Sequence, residues 1–291
     1  MSRAATAETL PDGLRRGGGV AAGDTLIVHA SFKALGPVEG GPAAVVAALR
    51  AAIGDVGTLV MPTFSDPQPD GRFDVRSTPS RVGAITECFR TAPGVLRSEH
   101  PTHAVAAAGP RAAALLAGHR DKPGLGVDTP LHRAADAGAR VLMLGCAVTT
   151  CSVIHVAESI CRVPYLGRAW YPGYDRTLTV VDAAGAEHVV PPRDPPGDSS
   201  QFGKVQEVME RRGQLQRFAL AQAEVLSFRA GDALAAGVDL LRADPLALLC
   251  RSPRCEYCVM ARRAVATPRV HVDVSGWAPP APARRPASAD A

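Results

Sequence analysis

Two short apolar runs with a helical segment between them constrain this chain most. Thr25-Leu26-Ile27-Val28-His29 follows Asp24, and Thr58-Leu59-Val60-Met61-Pro62 follows Gly57. Each run has the length and composition of a buried strand. Between them, Gly40-Gly41-Pro42 opens a stretch of helix formers, Ala43 to Ile53, which Gly54 closes. Proline suits the first turn of a helix, where its missing N–H costs nothing, and glycine suits the stop. The unit reads as strand–helix–strand of α/β type, with a right-handed crossover if the strands are parallel.

The remaining punctuation extends this pattern. Asp66 to Ser80, rich in Pro, Asp, Gly and Ser, reads as a loop. Helices are expected over 83–91, 110–118, 130–136 and 153–161, and strands over 104–108 and 140–144. Thr177–Val181 and His188–Val190 flank Ala183-Ala184-Gly185-Ala186 as a β-hairpin. Two helical stretches are expected beyond it, within Gly203–Arg212 and Leu215–Ala243. Met1–Gly19 reads as frayed or partly helical, with Gly17-Gly18-Gly19 as a turn. Residues 1–275 form one domain in this reading, with two intimately packed subdomains as the alternative. The Pro/Ala-rich residues 276–291 form a disordered tail.

Composition excludes some classes of function. The net charge is +4 and the basic residues are scattered, which does not point to nucleic acid. No window approaches the roughly 20 apolar residues of a membrane span. The first residues lack the apolar core of a secretory signal, and seven unevenly spaced Cys suit a reducing compartment. A cytoplasmic protein that acts on small molecules is expected, and its oligomeric state is open.

Ligands of α/β folds bind beyond the carboxyl ends of the strands. Three such ends carry polar groups: His29-Ala30-Ser31-Phe32-Lys33, Pro62-Thr63-Phe64-Ser65-Asp66, and Gly145 through His155. Together they suggest one cleft. Ser31 and Lys33 could hold a phosphate with a hydroxyl donor and a fixed ammonium, or Lys33 could be an ordinary surface lysine. No phosphate-binding glycine loop is present. His100 and His103 could share a metal, but Pro101 between them argues against a helix presenting both.

The helix over 153–161 carries the most specific chemistry. Ser152 is a good N-cap, which puts His155 in the first turn. Partial positive charge at a helix N-terminus disfavours imidazolium and helps keep a histidine able to accept a proton. Glu158, three residues on, shares the same face and can orient His155. The pair suits general-base activation of an amine, although a His–Glu pair that merely ties a helix to its neighbour has the same spacing. Cys151 is an alternative nucleophile beside them.

Several motifs in order resemble the aminoglycoside 3-N-acetyltransferase family: His29-Ala30-Ser31-Phe32-Lys33-Ala34-Leu35-Gly36 with Gly40-Gly41, Gly57 through Thr63, Arg97-Ser98 with His100-Pro101-Thr102-His103-Ala104, His119 through Asp128-Thr129-Pro130-Leu131, and Val141 through Gly145 leading to Ser152-Val153-Ile154-His155-Val156-Ala157-Glu158. Asp244-Pro245-Leu246 followed by Cys255-Glu256-Tyr257-Cys258 looks most like the apramycin-resistance branch. The resemblance implies a mixed central sheet with helices on both faces, and direct acetyl transfer from acetyl-CoA to the 3-amino group of a 2-deoxystreptamine antibiotic. It implies His155 as general base, Glu158 as its partner, and Ser152 as the hydroxyl that precedes them. His29, Ser31, Phe32, Lys33, Ser98, Thr129 and Pro130 would line the CoA channel. A polycationic acceptor calls for acidic groups, and Asp66 and Asp70 are candidates, with Asp194 and Asp198 also available. The segment Thr177–Ser200 is apolar and Pro-rich rather than strongly acidic, so another amine or another acyl-CoA, in a biosynthetic role, is the alternative.

Cys250, Cys255 and Cys258 place three soft ligands within nine residues. Tetrahedral zinc needs a fourth ligand. Related sequences often carry Cys where this chain has Asp198, which makes Asp198 the candidate, with His188 as runner-up. Such a site would be structural. Three reduced thiols in a helical tail is the alternative.

Overall fold

A computed structural model describes residues 6–167, 175–192 and 196–265. In chain order its elements are α1 (Leu10–Gly18), β1 (Thr25–Ala30), α2 (Gly41–Ile53), β2 (Thr58–Pro62), β3 (Arg72–Asp74), α3 (Ala84–Arg90), β4 (Leu96–Arg97), β5 (Val105–Ala108), α4 (Ala112–Leu116), α5 (Pro130–Asp136), β6 (Arg140–Leu144), α6 (Ile154–Ile160), β7 (Leu178–Val181), β8 (Glu187–Val190), α7 (Gly203–Arg211), β9 (Leu215–Leu220), β10 (Ala223–Arg229), α8 (Ala230–Ala243) and α9 (Glu256–Ala264).

β1, α2 and β2 form the expected unit, since β1 pairs parallel with β2. β1 also pairs parallel with β6, Ala30 opposite Leu144, so the two strands end together. The remaining pairings of this sheet are antiparallel, and its seven strands run β4-β5-β2-β1-β6-β10-β9. Alternate residues of its central strands feed two cores. Ile27, Val141 and Met143 pack with α5, α6, α7 and α8. Leu26, Val28, Leu142 and Leu144 pack with α1, α2 and α3. The fold is thus α/β, a mixed sheet with helices on both faces. A second sheet, β3-β7-β8, lies over a small core of its own around Phe73 and Val180.

Three expectations need correction. Residues Leu215–Arg229 form the hairpin β9–β10 rather than a helix. Leu, Gln, Arg, Ala and Glu are good helix formers, but β10 lies against β6, Val225 opposite Leu144, and tertiary pairing overrides a weak local preference. The loop expected over Asp66–Ser80 contains β3, which pairs with β7 through Phe73 and Val180. Gly17 and Gly18 belong to α1, and Gly19 alone makes the turn, with φ 61°. The tail from residue 276 and Asp194 lie outside the described residues. Among the described residues no helix is long and apolar enough to cross a membrane.

Candidate active site

Because β1, β2 and β6 are mutually parallel, their carboxyl ends open on one side of the sheet. The Ser31 amide donates to Leu144 O at 2.8 Å and closes the ladder there. Gly145 then turns the chain with φ 65°, and a side chain on it would collide with Ala34. A cleft of about 740 Å³ occupies this edge. It brings together residues from all three strand ends: His29 in β1 with Ser31, Phe32 and Lys33 after it, Pro62 at the end of β2 with Phe64 after it, and Cys146, Thr150 and Ser152 after β6. His29 is buried, and desolvation pushes its pKa down to about 4, so the ring is neutral at physiological pH.

A second cavity of about 270 Å³ adjoins the cleft and shares Phe64, Thr150 and Ser152 with it. His155 lines this second cavity. It lies in the first turn of α6, where Val148, Val153 and Ile154 anchor the segment in the core. Its Nδ1 and Glu158 Oε2 are 2.7 Å apart, the i,i+3 geometry of a shared helix face. Glu158 has no solvent exposure. Its other oxygen, Oε1, accepts the Tyr165 hydroxyl at 2.6 Å. Burial, followed by the nearby Glu158 charge, drives the Tyr165 pKa upward, so the phenol remains a donor. The Phe202 ring packs edge-on against the His155 ring, 4.7 Å between centroids. With Nδ1 committed to Glu158, Nε2 is the ring atom left for a reacting group.

Ser152 lines both cavities but does not cap the helix as expected. α6 starts at Ile154, and the Ile154 amide already donates to Cys151 O at 3.1 Å. A backbone turn therefore does the capping. Cys151 is fully buried, and desolvation pushes its thiol up to about 12. At neutral pH it holds no significant thiolate, which removes the basis for a covalent route through it.

Other expected site residues stand elsewhere. Ser98 is buried: its Oγ lies 2.8 Å from His119 Nδ1 and accepts the Val105 amide, and it borders a different cavity beside Arg97 and His119. Thr129 is fully buried with its hydroxyl on Gly126 O, and Pro130 occupies the buried first turn of α5. Asp66 pairs with Arg81, which lines the cleft, so its charge is already matched at the rim. Asp70 accepts the Arg72 amide in the exposed turn before β3. His100 Nδ1 accepts the His103 amide at 2.9 Å, a loop contact rather than half of a metal site.

Sequence reasoning missed two groups. Tyr165 and Phe202 are seven and 44 residues beyond Glu158, and no spacing rule links them to it. His103, named in the sequence only as a possible metal ligand and a motif residue, lines the smaller cavity together with His155. Burial, then the neighbouring His155 and His119, pushes its pKa down to about 3.

The cysteine cluster forms away from the cleft. One donor atom each from Asp198, Cys250, Cys255 and Cys258 lies within 4.8 Å of all the others. Cys255 and Cys258 thiols donate to Asp198 Oδ2 at 3.3 and 3.4 Å. His188 instead meets Asp182 at 2.8 Å and stands outside the group. A zinc ion with bonds of about 2.3 Å to sulfur needs sulfurs roughly 3.8 Å apart, a spread this donor set can supply.

A family model for aminoglycoside 3-N-acetyltransferases matches residues 27–242. Aminoglycoside N(3)-acetyltransferase III of Serratia marcescens is 38% identical over 172 residues, 53% of this chain and 64% of that enzyme. The match thus spans less than two thirds of that relative's length. Aminoglycoside acetyltransferase AAC(3)-IVa, solved as a histidine-to-alanine mutant in complex with a gentamicin, superposes with a TM-score of 0.80 at 29% identity, covering 91% of this chain and 99% of that one. AAC-IIIb, solved as a binary complex with CoASH, gives 0.67 at 26% identity, covering 83% and 97%.

Proposed function

The chain belongs to the aminoglycoside 3-N-acetyltransferase family, and we propose that it transfers an acetyl group from acetyl-CoA to the 3-amino group of a 2-deoxystreptamine antibiotic. The observation that carries this reading is the His155–Glu158 pair, 2.7 Å apart, with His155 in the wall of a cavity that shares Phe64, Thr150 and Ser152 with the larger cleft. In this reading His29, Ser31, Phe32 and Lys33 receive the donor in the larger cleft. The acceptor amine enters the smaller one.

A primary amine is mostly protonated at neutral pH and must lose a proton to attack. His155 Nε2 takes that proton as the amine nitrogen bonds to the thioester carbonyl carbon. Glu158 holds the ring through Nδ1 and stabilises the imidazolium as it forms. The carbon–sulfur bond then breaks, the departing thiolate takes the second proton that nitrogen loses as the amide forms and leaves as CoASH, and His155 returns the first proton to solvent. The Ser152 hydroxyl is in reach of both cavities and is the side-chain donor assigned to the developing oxyanion. No enzyme-bound acyl group forms. Zinc at Asp198, Cys250, Cys255 and Cys258 would be structural, tying α9 to the 196–202 loop. Reduced thiols and an acetyl-CoA supply are properties of the cytoplasm, the assigned location.

A thiol-release assay with acetyl-CoA tests the activity, with gentamicin, apramycin and amines unrelated to aminoglycosides as acceptors. CoA release with the antibiotics, and a singly acetylated product by mass spectrometry, are expected. No release with any amine, and no CoA binding by calorimetry, would contradict the reading. A second reading, transfer to another amine or from another acyl-CoA, is favoured by one observation: none of the described residues lining the smaller cavity is a carboxylate. Release with an unrelated amine alone would select it.

A further inference from the structure

The loop that carries Asp198 is also a wall of the acceptor cavity. Pro196, Gly197, Ser199 and Phe202 all line it. On its far side the loop is held by the Cys255 and Cys258 thiols at Asp198 Oδ2. On its near side Gly197 lies directly on the Glu158 carboxylate. A Cβ placed on Gly197 would stand 2.5 Å from Oε1, 2.9 Å from Oε2 and 3.0 Å from Cδ. Gly197 is not among the glycines with positive φ, so its backbone conformation is open to any residue. What demands glycine is the contact with Glu158.

Glu158 is therefore boxed in from three directions: His155 at Oε2, Tyr165 at Oε1, and the main chain of Gly197 across the carboxylate. We infer that Gly197 is a positioning residue for the His155–Glu158 pair, and that the Asp198–cysteine cluster, by gripping the adjacent residue, sets how closely the loop lies on that carboxylate. The inference rests on reading the pair as the catalytic base and the cluster as a metal site. A loop displaced inward pushes the carboxylate off His155. A loop displaced outward lets water reach a group that is now dry, and weakens its hold on the imidazole.

The test uses the full chain as purified with its metal. Gly197→Ala is measured for metal content, melting temperature, acetyl-CoA affinity and the pH profile of kcat. Metal content and CoA affinity should match wild type, while kcat falls by about tenfold or more, the usual effect of losing an orienting partner. The pH profile should differ from that of wild type, because the carboxylate no longer sits on His155 Nδ1. The titratable groups facing His155 are Glu158 and, across the cavity, His103. Asp198→Ala should lose the metal and show the same kcat loss and the same altered profile, and Asp198→Cys should restore metal, kcat and profile. A folded, metal-bound Gly197→Ala with wild-type kcat and pH profile overturns the positioning role. An Asp198→Ala chain that binds CoA, lacks metal and keeps wild-type kcat and profile overturns the link to the cluster. If His155→Ala is itself fully active, it is the catalytic reading that has failed.

Discussion

The Tyr165 hydroxyl donates to Glu158 Oε1 at 2.6 Å, on the carboxylate oxygen that His155 does not use. Both residues are fully buried, so this hydrogen bond is made where water cannot replace it. Tyr165 thereby fixes the rotation of the carboxylate that in turn fixes the imidazole. Tyr165→Phe keeps the ring and removes only the donor. Losing a hydrogen bond to a charged group costs roughly 1.5–3 kcal/mol. The variant is expected to lower kcat by about tenfold with acetyl-CoA affinity unchanged, as steady-state kinetics and calorimetry together would show. A wild-type kcat would make Tyr165 a core residue only.

Between about pH 6.5 and 4.5, acid stability should be governed by buried histidines, which charge there in the unfolded chain. Burial holds His29 and His119 down to about 4 and His103 down to about 3. In the unfolded chain the same rings titrate near 6.5. Between these values the unfolded state binds more protons, so stability rises with pH. It is complete above about pH 6.5 and is lost as pH falls towards 4, by up to roughly 1.4 kcal/mol per pH unit for each ring. Denaturant unfolding at several pH values should show this slope, and His103→Gln should reduce it. A flat stability between pH 6.5 and 4.5 would contradict the burial argument.

Direct transfer predicts that Cys151 is dispensable for chemistry. Its thiol is fully buried and pushed up to about 12, leaving negligible thiolate at neutral pH. Cys151→Ala should keep kcat within about threefold, the small loss reflecting a slightly loosened core. Mass spectrometry of the enzyme mixed with acetyl-CoA alone should find no acetylated chain. An acetyl group on Cys151 would replace the direct route with a two-step one.

The parts legible in the sequence are those with local causes. The strand–helix–strand unit of β1, α2 and β2 was marked by apolar runs, Pro42 and Gly54, and it forms as expected. His155 and Glu158 could be paired because a helix brings i and i+3 together whatever surrounds it. The hairpin β9–β10 was not legible, since its residues favour a helix and only β6 makes them a sheet. The same limit hid the third layer of the site. Tyr165 follows Pro164 in an irregular turn, and Gly197 sits in a Pro-rich loop, so only the tertiary fold brings either to Glu158. Cys250, Cys255 and Cys258 announced themselves by spacing. Asp198, more than fifty residues away in the chain, entered only through family resemblance, and the structure sets it among them.

In the proposed reaction His155, held by Glu158, deprotonates the acceptor amine. The most direct measurement is the turnover of His155→Ala beside its acetyl-CoA affinity. General-base catalysis contributes roughly 10²–10⁴-fold, so kcat should fall within that range while the dissociation constant for acetyl-CoA changes less than about threefold. A His155→Ala enzyme that turns over at the wild-type rate would remove His155 from the reaction and contradict the account.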